Sequence, residues 1–287
     1  MNLSDLLVFT TVVNEGGIGK AARKLHRVPS NVTMRIRQLE AYVGTELFYR
    51  RKQRLHLSAN GEVLLGYAEQ LLRLSAEAQE AVSGNLPQGT LRIGALESTS
   101  ASRLPEVLAG FHRRYPDVRI ELTTNTNDGL IEAISRRSID AAFAAEAPAL
   151  PGISHIPVFQ ERLVVISNVD REPIQKASDA VGETLIVFPM GCAYRRILQR
   201  WLGMESLVAV RVLELSSYHA IVACVASGTG IALVPESVLD TMPHAMVRKH
   251  FLPRVLGNLI TPLVWRSGEI SPALAALRTL VERRARR

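Results

Sequence analysis

The chain has 287 residues, enough for two domains, and its 34 Lys and Arg against 27 Asp and Glu give a formal net charge of +7. Two cysteines, Cys192 and Cys224, exclude a disulfide framework or a zinc site. No cationic leader opens the sequence and no apolar run approaches a membrane span, so a soluble, cytoplasmic protein is expected.

Leu6, Phe9 and Val13 predict an apolar stripe on a first helix, which ends at Glu15-Gly16-Gly17. Two short amphipathic helices follow across a tight turn. In the first, Ile18, Ala21, Ala22 and Leu25 share one face; in the second, Val32, Ile36, Leu39 and Val43 do. Pro29 and Ser30 suit the start of the second helix, since proline has no N–H to lose in a first turn. A rotation of about 100° per residue puts Ser30, Met34, Arg37 and Gln38 opposite the buried stripe, with Asn31 and Thr33 on its flanks. This is the helix-turn-helix layout, whose second helix enters the DNA major groove. The plain alternative is a helical hairpin packed in a core.

Lys20, Arg23, Lys24, Arg27, Arg35, Arg37, Arg50, Arg51, Lys52 and Arg54 crowd one window whose acids are Glu40 and Glu46. Such a patch attracts a polyanion and gains from counterion release. Gly44 stops the second helix. Leu47 to Leu57 reads as a two-stranded wing with arginines at its tip, within reach of phosphates or a minor groove. A basic surface loop is the alternative. From Ser58 to Ser83 a long helix carries Leu64, Ala68, Leu71, Ser75, Ala78 and Val82 at coiled-coil spacing, and a second copy is the simplest partner for it. The stretch from Gly84 to Gly89 breaks that helix as a hinge.

From Thr90 strands and helices alternate. Strands are expected at 91–96, 118–124 and 139–145, with helices at 101–115 and 128–136 between them, a βαβ rhythm with a parallel sheet. The segment 153–167 crosses to a second half with strands at 185–188, 210–215 and 231–235 and helices at 194–202 and 218–227. Strands at 247–252 and 260–265 follow, and a terminal helix at 271–283 returns to the first half. Two α/β halves joined by crossovers enclose a cleft, which suits a small ligand beside strand ends and helix starts.

Together these residues resemble the LysR-type transcriptional regulators over essentially the whole chain. The N-terminal resemblance rests on Phe9, Ala21-Ala22, Leu25, Val32-Thr33, Ile36, Leu39-Glu40, Gly44, Leu47-Phe48, Arg50, Leu57 and Gly61. In the C-terminal part it rests on Leu91-Arg92-Ile93-Gly94, Phe111 with Tyr115-Pro116, Asp140 and the run from Gly228 to Pro235. The resemblance implies a winged helix-turn-helix (1–58), a linker and dimerisation helix with hinge (59–89) and a two-lobed, periplasmic-binding-protein-like α/β effector domain (90–287). Lobe I would take 90–161 and 267–287, and lobe II 162–266. It implies double-stranded operator DNA, a small-molecule coinducer and assembly as dimers and tetramers; RNA polymerase is a further possible partner. The family's base-reading positions fall on Pro29, Ser30, Thr33 and Met34, with the wing arginine at Arg54. Proline at 29 and methionine at 34 depart from the family's usual polar residues: Pro29 cannot form a bidentate bond to adenine, and Met34 suits a thymine methyl. Gly17 stands where a capping serine is usual. The DNA contacts expected are Pro29, Ser30, Asn31, Thr33, Met34, Arg35, Arg37, Gln38, Arg50, Arg51 and Arg54.

For the effector the expected residues are Glu97, Ser98, Thr99, Ser100, Thr126, Gly191, Cys192 and Tyr194. Ser98-Thr99-Ser100 follow the first strand and open a helix, where free N–H groups suit an anion; plain capping is the alternative. Residues Met190 to Arg195 form the matching turn of the second half and face them across the cleft, where Tyr194 and Arg195 either contact ligand or brace the lobe. Glu97 beside this cradle would repel a carboxylate. It either points to solvent or an arginine, or meets the amine of a cationic or zwitterionic effector. The effector class is thus an organic acid, amino acid or amine. Cys192 at a helix start is a small pocket residue or, with a lowered pKa, an oxidant sensor. Cys224 shares an apolar face with Ile221 and Val225. No catalytic residue, metal or cofactor is expected: no G-x-G-x-x-G, Walker loop, nucleophile elbow or metal-ligand spacing occurs. The alternatives are a cytoplasmic ligand-binding protein or an α/β enzyme without DNA function.

Overall fold

The computed structural model describes residues 1–51, 54–82, 87–147, 150–203, 211–268 and 270–285; the side chains at 54, 77, 80–82 and 285 lie outside that description. The chain divides into two compact units, Met1–Gly84 and Asn85–Arg287.

In the first unit, α1 (Leu3–Asn14), α2 (Ile18–Lys24) and α3 (Pro29–Val43) are followed by the wing, β1 (Phe48–Arg51) and β2 (Arg54–Leu57), and then by α4 (Ala59–Val82). Leu6, Phe9, Ala21, Ala22, Val32, Ile36, Leu39, Leu47 and Ala68 form its core. Each fully buried leucine or phenylalanine there contributes about 1.5–3 kcal/mol. Asn2 caps α1, accepting the Asp5 N–H at 2.9 Å. Pro29 occupies the first turn of α3, and Gly44 ends it in the left-handed region at φ 73°. Gly17 precedes α2 with no side-chain cap. Glu40 reaches out of α3 to accept the N–H groups of Leu47 and Phe48 at 2.9 and 3.3 Å, which fixes the wing on the helix pair. Gly61 cannot carry a side chain, because a Cβ would stand 2.3 Å from the Leu47 carbonyl oxygen.

The seam expected on the linker helix is corrected. Ala68 is fully buried in the winged core, with Leu64, Leu65 and Leu72 beside it. The exposed apolar residues are Val63, Tyr67, Leu71 and Leu74, at 63, 61, 38 and 49% exposure. Their spacing of four, four and three is again a coiled-coil stripe, which shares Leu71 with the expected seam. Packing of the first half of α4 into the winged core consumes Leu64 and Ala68, whereas Leu71 and Ala78 of the expected seam stay exposed. Ser83 and the expected hinge residues 84–86 lie outside the described residues.

The second unit begins with β3 (Gly89–Ala95), α5 (Glu97–Ser102), α6 (Leu104–Arg114), β4 (Val118–Thr124), α7 (Asn127–Ser135), β5 (Ala141–Phe143) and β6 (Ile153–Asn168). It continues through β7 (Leu185–Val187), α8 (Ala193–Trp201), β8 (Val212–Glu214), α9 (Tyr218–Ala226), β9 (Ala232–Pro235), α10 (Glu236–Leu239), β10 (Val247–Phe251), α11 (Arg254–Gly257), β11 (Asn258–Arg266) and α12 (Pro272–Ala285). The helix expected at 101–115 starts earlier and is divided at Arg103 into α5 and α6.

The expected parallel pairing holds for β3 with β4 and β5, and for β7 with β8. The larger sheet is nevertheless mixed, in the order β10-β6-β11-β5-β3-β4 with β9 on β6. Up to Arg162, β6 pairs antiparallel with β11; from Leu163 it pairs with β9 and β10. One long strand thus passes from lobe I to lobe II, and β11 runs back against it. One core gathers Leu91, Ile93, Phe111, Leu263, Trp265 and Leu277; the other holds Ile166, Leu185, Ile186, Tyr194, Val222 and Val234. Leu263, Val264 and Trp265 pair with β5 of the first half, so the return to lobe I falls inside β11 and not after residue 266. The terminal helix α12 packs there as expected.

At the crossover, the buried Glu161 accepts Arg103 Nε at 2.7 Å and Nη2 at 3.2 Å, and the Ser237 hydroxyl at 2.8 Å. Arg103 comes from the α5–α6 junction and Ser237 from α10. The bidentate pair therefore lies within lobe I at the strand switch, and the Ser237 hydroxyl ties it to lobe II.

Candidate functional site

The outward side of α3 is a polar groove lined by Ser30, Thr33, Met34, Arg37, Gln38 and Ala41. Pro29, Ser30, Met34, Arg37 and Gln38 are exposed, and Thr33 is half-buried. The Thr33 hydroxyl donates to the Pro29 carbonyl at 2.9 Å, which leaves its lone pairs facing out as acceptors. Arg50 and Arg51 are exposed on the wing; the side chain of Arg54 lies outside the described residues.

Two expected DNA contacts are placed differently. Arg35 turns inward, donating to Asp5 Oδ1 at 2.7 Å and to the Ser4 hydroxyl at 3.2 Å. It ties α3 to α1, because a position one residue past Met34 is carried about 100° round the helix. Asn31 is half-buried, and its Oδ1 is enclosed without a donor.

In the second unit a cavity of about 350 Å³ lies between the lobes. Lobe I lines it with Leu96, Glu97, Ser98, Thr124, Asn125, Thr126 and Ala145. Lobe II supplies Phe188, Pro189, Cys192, Ala193, Tyr194, Ser216 and Tyr218. Nearly all follow the carboxyl end of a strand or open the next helix, where an open α/β sheet places its ligands. Thr126 caps α7 through its hydroxyl, which accepts the Gly129 N–H at 3.3 Å. The lobes touch beside it: the Asp128 N–H donates to the Gly191 carbonyl at 3.5 Å. A Cβ on Gly191, already left-handed at φ 88°, would stand 3.0 Å from Thr126 Oγ1.

Burial dominates the titration of these groups. It pushes the Tyr194 and Tyr218 hydroxyls above the ordinary phenol value; Ser98 lies beside both, and Thr261 beside Tyr194. Burial also pushes the Cys192 thiol up, outweighing the N–H groups of Arg195 and Tyr194 and the Arg196 charge. That direction runs against the lowered pKa of an oxidant sensor, and Cys192 lines the cavity as a small buried residue. Cys224 packs against the lobe II core. Burial likewise raises the Glu97 carboxyl, against the Tyr218 backbone N–H and the His219 ring.

Residues 3–62 match the family described as bacterial regulatory helix-turn-helix protein, lysR family, and residues 84–286 match the LysR substrate binding domain. The chain belongs to the LysR family of transcriptional regulators. It is 35% identical over 284 residues to the HTH-type transcriptional regulator YusT of Bacillus subtilis (strain 168), covering 98% of this chain and 95% of that one. It is 34% identical to GltR of the same organism, covering 97% and 95%. Full-length CbnR, in a crystal structure with its target DNA, has the same fold at a TM-score of 0.72, with 22% identity and 99% of both chains covered. The protein is accordingly a DNA-binding regulator with a ligand-sensing α/β domain, and not an enzyme. Among the described residues no helix is long and apolar enough to cross a membrane.

Of the effector residues expected in this LysR regulator, Glu97, Ser98, Thr126, Cys192 and Tyr194 line the cavity. Thr99, at 1% exposure, and Ser100 lie behind it in the first turns of α5, and Gly191 shapes the lobe contact. Glu97 meets neither solvent nor an arginine with its Oε2, which is enclosed with no hydrogen-bond partner. Arg195 braces lobe II, donating to Glu214 at 2.6 Å and to the Phe188 carbonyl at 3.1 Å. Phe188, Ser216, Tyr218, Thr124 and Asn125 were missed. Each lies within four residues of a strand's carboxyl end, so applying the strand-end rule to every strand would have found them.

Proposed function

We propose that α3 enters the major groove of an operator, with Ser30, Thr33, Met34, Arg37 and Gln38 toward the bases and Arg37, Arg50 and Arg51 near phosphates. The observation that carries this is the exposed outward face of α3, where Ser30, Arg37 and Gln38 surround Met34, itself 49% exposed. A thymine methyl is a suitable apolar contact for that methionine. A small effector in the interlobe cavity changes the lobe arrangement and with it the regulator's hold on DNA. The Val63, Tyr67, Leu71 and Leu74 stripe pairs with its twin in a second copy, and dimers assemble further into tetramers that act on promoters with RNA polymerase in the cytoplasm.

The test is a mobility-shift titration of the full chain on the DNA upstream of its own gene at several salt concentrations. Binding whose logarithm falls linearly with the logarithm of salt supports the reading. Failure to bind at low salt refutes it.

A further inference from the structure

Among the described residues, the wall of the interlobe cavity carries one charged side chain, Glu97, and no basic one. Glu97 Oε2 is closed off from water and meets no donor. The basic side chains of α8 nearest the cavity are outside its lining and already hold acidic partners, although Arg195 Nε is enclosed with no partner of its own. Arg195 pairs with Glu214 at 2.6 Å, and Arg196 lies 3.2 Å from Asp128 and 3.9 Å from Glu146. Asp128 and Glu146 stand just beyond the lining residues Thr126 and Ala145, so this side of the cavity has two carboxylates for one guanidinium. The exposed His219 ring is a further basic group that acts on Glu97.

A carboxylate ligand entering this space would lie beside Glu97 with no basic side chain among the described wall residues to receive it, and like charges at close range disfavour each other's ionised form. An ammonium brings up to three donors and the opposite charge. The Tyr218 backbone N–H already serves this carboxyl; with the side chain turned into the cavity, an ammonium would add a cationic partner and offset the effect of burial. The Ser98 and Thr126 hydroxyls and the aromatic rings of Phe188 and Tyr218 remain for the rest of a small molecule.

We propose that the effector of this regulator bears a protonated amine that donates to the Glu97 carboxylate, so that the cleft selects amines and amino acids over simple organic acids. The inference rests on reading the cavity as the effector site.

Melting of the full chain near neutral pH with equal concentrations of butylamine, γ-aminobutyrate or butyrate tests it, because a ligand that binds the folded state raises apparent stability. The expected result is stabilisation by an amine-bearing probe and not by butyrate, with affinity for the amine reduced about tenfold or more in Glu97→Gln. The melting point of Glu97→Gln without probe reports its fold. Unchanged amine affinity in that variant, tighter binding of butyrate, or no shift by any probe overturns the proposal. Thr124→Trp, at an exposed lining position, separates the two readings. Butyrate binding abolished by Thr124→Trp would keep the effector cleft and remove only the amine. Amine binding that survives Thr124→Trp would remove both.

Discussion

Arg103→Ala should destabilise the effector domain far more than an ordinary surface substitution. Arg103 makes two bonds to Glu161, at 2.7 and 3.2 Å, and one to the Gln160 carbonyl at 3.1 Å. The Glu161 side chain is 3% exposed, whereas Arg103 is 35% exposed. Without the guanidinium, Glu161 keeps one donor, the Ser237 hydroxyl, for a buried negative charge. Breaking a fully buried pair costs about 3–5 kcal/mol, and partial access of water to the vacated site brings this to about 2–4 kcal/mol. For a unit of about 200 residues, that lowers Tm by roughly 4–16 °C. Thermal melting followed by circular dichroism checks it, with Arg136→Ala as the comparison. Arg136 also pairs with a glutamate, Glu132, but both side chains are mostly exposed at 74 and 58%. Its loss should cost no more than about 0.5 kcal/mol. Equal Tm changes in the two variants would refute the account of Glu161 as a buried charge held by Arg103.

Arg37→Ala should weaken operator binding and reduce the salt slope by about one. Arg35→Ala should lower stability through loss of the Asp5 pair and leave the slope unchanged; a slope change in Arg35→Ala alone would reverse these assignments. His250 accepts the Ile174 N–H on Nδ1 at 3.0 Å, so its proton is on Nε2, facing the Ser167 hydroxyl at 2.8 Å. Burial, then Arg171 and Arg248, hold its pKa below the ordinary value. The unfolded chain therefore takes up the proton first: the contribution of His250 is complete above about pH 6.5 and is lost as the pH falls from there toward the lowered folded value. Denaturant titrations across that range should show the loss, and His250→Gln should flatten it. Tyr67→Glu with Leu74→Glu should shift the protein toward monomer in sedimentation without lowering its helix content; an unchanged assembly would show that this stripe is not the interface.

The periodicity of the apolar residues determined most of the local structure. Val32, Ile36 and Leu39 had to face inward, so Met34, Arg37 and Gln38 had to face outward, and the crossover at 153–167 was legible from its strand pattern. Where two faces of one element could both be buried, the sequence was ambiguous. The linker helix has apolar residues on both sides, and packing against α1 decided that Ala68 is core and that Tyr67 and Leu74 are free. Arg35 belonged to the basic window by charge, but Asp5, thirty residues away, turned it inward. Glu97 was visible as an acid beside a helix start. That its Oε2 is enclosed, with no basic side chain among the described wall residues, depends on two lobes meeting across β6 and β11. Local pattern is set by neighbours in sequence, whereas burial and electrostatic partnership are set by groups brought together only when the chain folds.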